Sequence, residues 1–163
     1  MLVTINTDAS WHPYFKVGSY AFWVVSNIFK IKKSNIFKQP KAHNPDICEI
    51  KCILNALWLT LKQDQSISKV IINTDSQNAI YVFEDNRKMC RKYRLTGYKK
   101  YRQKYNDICR KYRKKTGVDL KNNVEFRKVK SHNDTDTKRG WVNQWCDDSA
   151  KKALWKYIDE HLR

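Results

Sequence analysis

Lys69-Val70-Ile71-Ile72-Asn73-Thr74-Asp75-Ser76-Gln77 joins a strand to a helix and carries a carboxylate at the joint. Lys69 to Thr74 is a nearly continuous β-branched run, the pattern of a strand in a sheet's interior. Ser76 is placed to cap a short helix through about Phe83. Upstream, Asn44-Pro45-Asp46 supplies an N-cap, a proline at the first helical position and an acid at the positive end of the dipole. The helix they open is expected to reach about Gln63, with Ile50, Ile53, Leu54, Leu57, Trp58 and Leu61 as its buried stripe.

Three more strands precede that helix. Leu2 to Thr7 alternates and ends near Asp8, Gly18 to Val25 is a second strand, and Ile28 to Lys32 a third. The short spacing between them predicts an antiparallel meander. Downstream, a basic helix or helix pair broken near Gly97 stops at Thr116-Gly117. Asn123 to Lys130 makes a fifth strand, Ser131 to about Gly140 a polar loop, and Trp141 to Leu162 a closing helix. The order βββαβα(α)βα predicts an α/β fold with a mixed five-stranded sheet flanked by helices. At 163 residues, 41% hydrophobic and 13% aromatic, the chain is expected to form one domain over 1–163, with a basic insertion at about 86–116.

Composition narrows the function. No apolar run approaches the roughly 18 residues of a membrane span, and Met1 to Ile5 lacks a basic-then-apolar leader. Cys48, Cys52, Cys90, Cys109 and Cys146 show no zinc-finger spacing, so they read as reduced thiols, with Cys48 and Cys52 one helical turn apart as small hydrophobes. A cytoplasmic, intracellular protein is the expectation. The net charge is +17, from 33 Lys and Arg against 16 Asp and Glu, which points to a polyanionic partner, nucleic acid before membrane. Between Asn86 and Lys115 stand 14 Lys or Arg and one acid, Asp107, so this segment carries +13 of the total. Tyr98, Tyr101, Tyr105, Ile108 and Tyr112 fall on one helix face and are expected to dock it. The unmixed cations on the other faces suit phosphates, which attract charge without reading sequence.

In so basic a chain the positions of the acids are informative. Asp8 ends the first strand, Asp75 ends the fourth, Glu49 lies in the first turns of a helix and Asp147 early in the last. Strand ends and adjoining helix starts can converge on one edge of a sheet. Four carboxylates together repel unless cations neutralise them, and hard oxygen donors without a thiolate or imidazole cluster favour Mg²⁺ or Mn²⁺. Two such ions serve in-line displacement at a phosphodiester, one activating water and the other stabilising the leaving oxygen.

Four local motifs carry a resemblance. Thr7-Asp8-Ala9-Ser10 resembles T-D-G-S, and Glu49-Ile50-Lys51-Cys52-Ile53-Leu54-Asn55-Ala56-Leu57 resembles E-L-x-A-x-x-x-A-L. Thr74-Asp75-Ser76-Gln77 matches T-D-S-Q outright. Val129-Lys130-Ser131-His132, then Asn143 to Ala150, resembles V-K-x-H and N-E-x-x-D-x-x-A. In this order the motifs resemble the cellular-type ribonuclease H family over nearly the whole chain. The resemblance implies an endonuclease that hydrolyses the RNA strand of RNA/DNA hybrids with two Mg²⁺ ions, Mn²⁺ being a substitute. By the same resemblance Asp8 bridges both ions, Glu49 and Asp75 hold the ion on the leaving-group side, and Asp147 holds the one that activates water. Asp147 is preferred to Asp148 by the N-x-x-x-D spacing from Asn143. His132 assists proton transfer or product release. Ser10, Asn44 and Gln77 are the implied hybrid contacts, and the basic insertion, with Lys92, Lys99, Lys100, Arg102 and Lys104, takes the place of the family's substrate-binding handle.

The sequence departs from the family at three places. Trp11-His12-Pro13-Tyr14-Phe15-Lys16 replaces a Gly-rich turn, Asn44 stands further from Glu49 than usual, and the loop between His132 and Asn143 is longer. These bear on recognition of the RNA 2′-OH more than on the chemistry. A DNA-cutting relative of the resolvase or transposase kind, and a binding module that has lost catalysis, are the alternatives. The expected partner is a nucleic-acid hybrid bound by a monomer, with no membrane and no small-molecule cofactor.

Overall fold

The computed structural model describes residues 1–129 and 138–163. Its centre is a five-stranded sheet in the order β3-β2-β1-β4-β5. β1 (Leu2–His12), β2 (Val17–Val25) and β3 (Lys30–Lys41) form the antiparallel meander, while β4 (Lys69–Thr74) and β5 (Val124–Lys128) run parallel to β1. The expected element order is recovered, and β4 has the bounds read from the sequence.

Two strands are longer than expected. β1 continues through Asp8 because residues 8–12 keep pairing with β2, Asp8 opposite Ala21 and His12 opposite Val17. Its pairing with β4, however, stops at Asn6 opposite Asn73. Asp8 therefore sits just where β1 outruns its parallel neighbour, not at a strand tip. β3 extends to Lys41 although only Ile36 and the buried Phe37 interrupt a largely polar run from residue 32. It is the sheet's edge, where lysines and a proline are tolerated and discourage pairing with another chain.

Alternation along β2 distributes the core to two layers. Tyr20, Phe22 and Val24 pack with Val3 and Ile5 under α1 (Pro45–Leu61), whereas Ala21 and Trp23 meet Val142, Cys146 and Ala150 of α5 (Lys138–His161) on the other face. α1 begins as its sequence demands: the Asn44 side chain accepts from Ile47 N, with Pro45 in the first turn. Ile50, Ile53, Leu54, Leu57 and Leu61 are buried, but Trp58 is 49% exposed. Adjacent helical residues lie about 100° apart, so burying Leu57 turns Trp58 outward, and the expected stripe is narrower by that residue.

β4 leads through Asp75 into α2 (Gln77–Phe83), where Ser76 accepts from Ala79 N as predicted. α3 (Arg87–Lys92), a 3-10 turn at Thr96–Tyr98 and α4 (Lys99–Thr116) form the basic segment. Its docking face is the expected one: Tyr101, Tyr105 and Tyr112 are buried, and the Tyr112 hydroxyl donates to Ile67 O at 2.8 Å. Gly117 ends α4 with a φ of 80°, a left-handed conformation that glycine adopts without strain. Among the described residues no helix is long and apolar enough to cross a membrane, and all five cysteines are free.

β2 and α1 approach most tightly at Gly18, where an added Cβ would collide with the Cys48 sulfur and crowd Ser10 O. Gly18→Ala is expected to destabilise the protein by about 1–3 kcal/mol in denaturant unfolding. Adding Cys48→Ala should recover part of that loss; strictly additive losses would contradict the contact.

Candidate active site

Three carboxylates arrive at one place from three elements. Asp8 projects from β1 where β4 has ended, Asp75 follows the last residue of β4, and Glu49 lies in the first turns of α1. One oxygen from each lies within 4.8 Å of the others. Glu49 is 9% exposed, and Asp8 and Asp75 are half-buried. The Ala9 N–H donates to both Asp8 Oδ1 (2.9 Å) and Glu49 Oε1 (3.2 Å). Glu49 Oε2 is buried without a hydrogen-bond partner.

The electrostatics follow from this geometry. Burial, then the neighbouring charges of Asp75 and Asp147, push the Asp8 carboxyl up to about 8. Burial, then Asp8 and Asp75, raise Glu49 well above the ordinary carboxylate range. A set of hard oxygen donors in which one buried oxygen has no proton donor fits a divalent cation, since the like charges and the orphaned acceptor are relieved together.

Asp147, on α5, stands outside this tight group, but its charge reaches Asp8. It is half-buried and paired with Lys151 at 3.0 Å. Asp148 is exposed and accepts from Gln144, so the carboxylate chosen by spacing is the one that faces the cluster electrostatically. His132 lies outside the described residues.

The expected substrate contacts divide into two groups. Ser10 on β1 and Gln77 at the start of α2 are half-buried near the acids in sequence, and Lys92, Lys99, Lys100 and Lys104 are exposed on the basic segment. Arg102 and Asn44 are instead engaged within the protein. Arg102 donates to the carbonyls of Val82 and Phe83 at the end of α2 and pairs with Asp85. Asn44 caps α1 through its oxygen, and its amide nitrogen donates to the Tyr98 hydroxyl at 2.7 Å. That bond latches the basic segment to the helix that carries Glu49.

Sequence reading missed the support beneath the acids. Asn73 Nδ2 donates to Asn6 Oδ1 at 2.9 Å, Asn6 donates to Trp23 O, and Thr7 Oγ1 donates to Asn73 O, all buried. The Asn6–Asn73 and Thr7–Asn73 bonds tie β1 to β4 immediately before Asp8 and Asp75, and the Asn6–Trp23 bond ties β1 to β2. Two asparagines inside otherwise apolar strands were the available signal. Asn78 likewise donates to Asp46, joining the starts of α1 and α2.

Comparison with known proteins gives a consistent picture. The sequence profile of the RNase H family matches residues 2–155, whereas no curated protein matches the chain. Among solved structures, RNase H1 of the halophilic archaeon Halobacterium salinarum NRC-1 aligns with a TM-score of 0.60 at 14% identity, covering 96% of this chain and 99% of that one. An N-terminal RNase H domain from Mycobacterium tuberculosis, solved as a fusion with maltose binding protein, aligns at 0.61 and 11% identity over 94% and 99%. LC11-RNase H1, solved with an RNA/DNA hybrid, aligns at 0.57 and 13% identity over 93% and 99%. At these identities the structural likenesses speak for the fold.

A carboxyl raised on folding stabilises the protein fully below its unfolded value, near 3.8 for Asp8, and that contribution is lost as pH rises toward about 8. In chelator, Asp8→Asn should therefore gain thermal stability over the wild type progressively from pH 5 to pH 8, and Mg²⁺ or Mn²⁺ should narrow the gap by stabilising the wild type. Identical melting of the two proteins across that range would contradict the clustered charge.

Proposed function

This chain belongs to the RNase H family, and from that footing we propose that it is an endonuclease hydrolysing the RNA strand of RNA/DNA hybrids, with 1–163 acting as one catalytic domain. The observation that carries the reading is the meeting of Asp8, Glu49 and Asp75 at the end of the parallel strand pair, with a buried Glu49 oxygen left for a cation. The likeness to a neighbour solved with an RNA/DNA hybrid supports the substrate class.

Asp8, Glu49 and Asp75 would hold a divalent cation between them, and Asp147, drawn from Lys151, would share a second with Asp8. When bound, a pair of Mg²⁺ ions supplies the Lewis acidity that in-line attack of water on a phosphodiester requires. The chain's own residues position the rest. The Ala9 N–H orients the Asp8 and Glu49 carboxylates at once, so both present their remaining oxygens to the same space. The Asn6–Asn73 bond holds β1 and β4 in register beneath Asp8 and Asp75. The cations of α3 and α4 would bind the backbone of the hybrid, adding affinity that falls with salt. The Asn44–Tyr98 bond fixes their distance from Glu49, so phosphates gripped by the basic segment are presented at a set offset from the carboxylates. His132 would assist proton transfer or product release.

The reading is tested with an end-labelled RNA/DNA hybrid in Mg²⁺ beside single-stranded RNA, duplex RNA, duplex DNA and a four-way junction. RNA in the hybrid should be the strand cut, and Asp8→Asn or Asp75→Asn should lower the rate by at least about a hundredfold, as should chelator. Preferential cutting of DNA, or binding without cleavage in either Mg²⁺ or Mn²⁺, would overturn it.

A further inference from the structure

Trp58 is an unusual residue to leave 49% exposed in the middle of a core helix. It borders a groove of about 430 Å³ between α1 and α4, shared with Leu54, Asn55, Lys104 and Lys111. The surroundings are cationic. The Lys62 ammonium lies 3.3 Å from the centre of the Trp58 ring. The acid that lines the groove, Asp107, is engaged by Arg110 and Gln103.

We propose that this groove is a track for an unpaired nucleic-acid strand, with Trp58 as the surface on which a base stacks and Lys62, Lys104 and Lys111 as partners for its phosphates. The chemistry selects that occupant. Uncompensated lysines on both walls call for a polyanion, and a second copy of this chain, itself at +17, would be repelled. A membrane surface would need a broader apolar face than one tryptophan provides. A duplex keeps its base faces stacked inside the helix, so an exposed aromatic ring gains only from a base already unpaired. An incoming base would displace the exposed Lys62 side chain from the ring and leave its ammonium for the adjoining phosphate.

The track's position relates it to the proposed cleavage. Trp58 lies nine residues beyond Glu49 on the same helix, roughly 13 Å along its axis and two and a half turns on, which puts it on the opposite face of α1, so a tail of several unpaired nucleotides is needed to pass around the helix and reach it. A single-stranded tail leaving a hybrid bound at the carboxylates would run onto it. The inference rests on the proposed activity for the origin of that strand, while the binding chemistry stands independently; the tail is RNA or DNA, and both serve as probes.

The test compares binding of a labelled blunt hybrid, the same hybrid with a short single-stranded RNA or DNA tail, and a duplex DNA with such a tail. Anisotropy is measured in chelator and cleavage separately in Mg²⁺, for the wild type, Trp58→Ala, Trp58→Phe and Lys62→Ala, each checked by thermal unfolding. A tail should tighten wild-type binding by about tenfold. Trp58→Ala should remove most of that gain, Lys62→Ala part of it, and Trp58→Phe little, with blunt-hybrid binding and cleavage unchanged. No gain from either tail in the wild type, or an equal gain in Trp58→Ala, would overturn the track. Tail binding through Trp58 by a protein that cleaves no hybrid would retain the track and remove the nuclease reading instead.

Discussion

Two carboxylates 4.8 Å apart repel by about 3 kcal/mol at the effective dielectric of a protein surface, and Asp8, Glu49 and Asp75 are held within that distance of one another. Hydrogen bonding at Asp8 and Glu49 does not outweigh it, since both carboxyls are held above their ordinary range. A single Ala9 N–H serves two of the acids, and one Glu49 oxygen is left buried without a donor. The surrounding structure is what holds these carboxylates together against that repulsion. β1 lies between β2 and β4, the Asn6–Asn73 bond joins it to β4 just below the acids, and α1 is anchored by its Asn44 cap before Glu49 arrives.

The same constraint explains the uneven distribution of charge. Most of the positive excess is kept on α3 and α4, away from the acids, where it cannot neutralise them directly. A lysine inside the cluster would pair with a carboxylate and compete with a cation. The nearest such pair described is Lys151 with Asp147, on the more exposed member of the acidic set. The basic segment is docked by buried tyrosines and by the Asn44–Tyr98 bond, so its cations stand at a fixed offset from Glu49.

Much of this was legible in the sequence because local and global signals agree. The Ser76 cap, the Asn44-Pro45 start, the buried run from Val70 to Thr74 and the tyrosine stripe each had one consistent interpretation, and the structure holds them as read. The failures have physical causes. Beyond Lys32, β3 has only Ile36 and Phe37 among polar residues and Pro40, too few apolar positions to announce a strand, because an edge strand needs neither two apolar faces nor a full ladder. β1 looked finished at Asp8 because a carboxylate resembles a strand end; only its pairing with β2, a non-local fact, carries it to His12. Trp58 fell on the apolar side by spacing, but the width of the buried face depends on how closely α4 approaches. The engagement of Arg102 and Asn44 inside the protein depends on partners far along the chain. His132 and its loop lie outside the described residues, so its role rests on resemblance.

The reading of Asp8, Glu49 and Asp75 as a cation site assembled against its own repulsion is open to direct measurement. Calorimetric titration of the metal-free protein with Mn²⁺ at pH 7, in two buffers of different ionisation enthalpy, tests it most directly. Saturable binding with release of protons from the raised carboxyls is expected, lost in both Asp8→Asn and Asp75→Asn. Absence of saturable binding, or binding unchanged by either substitution, would contradict it.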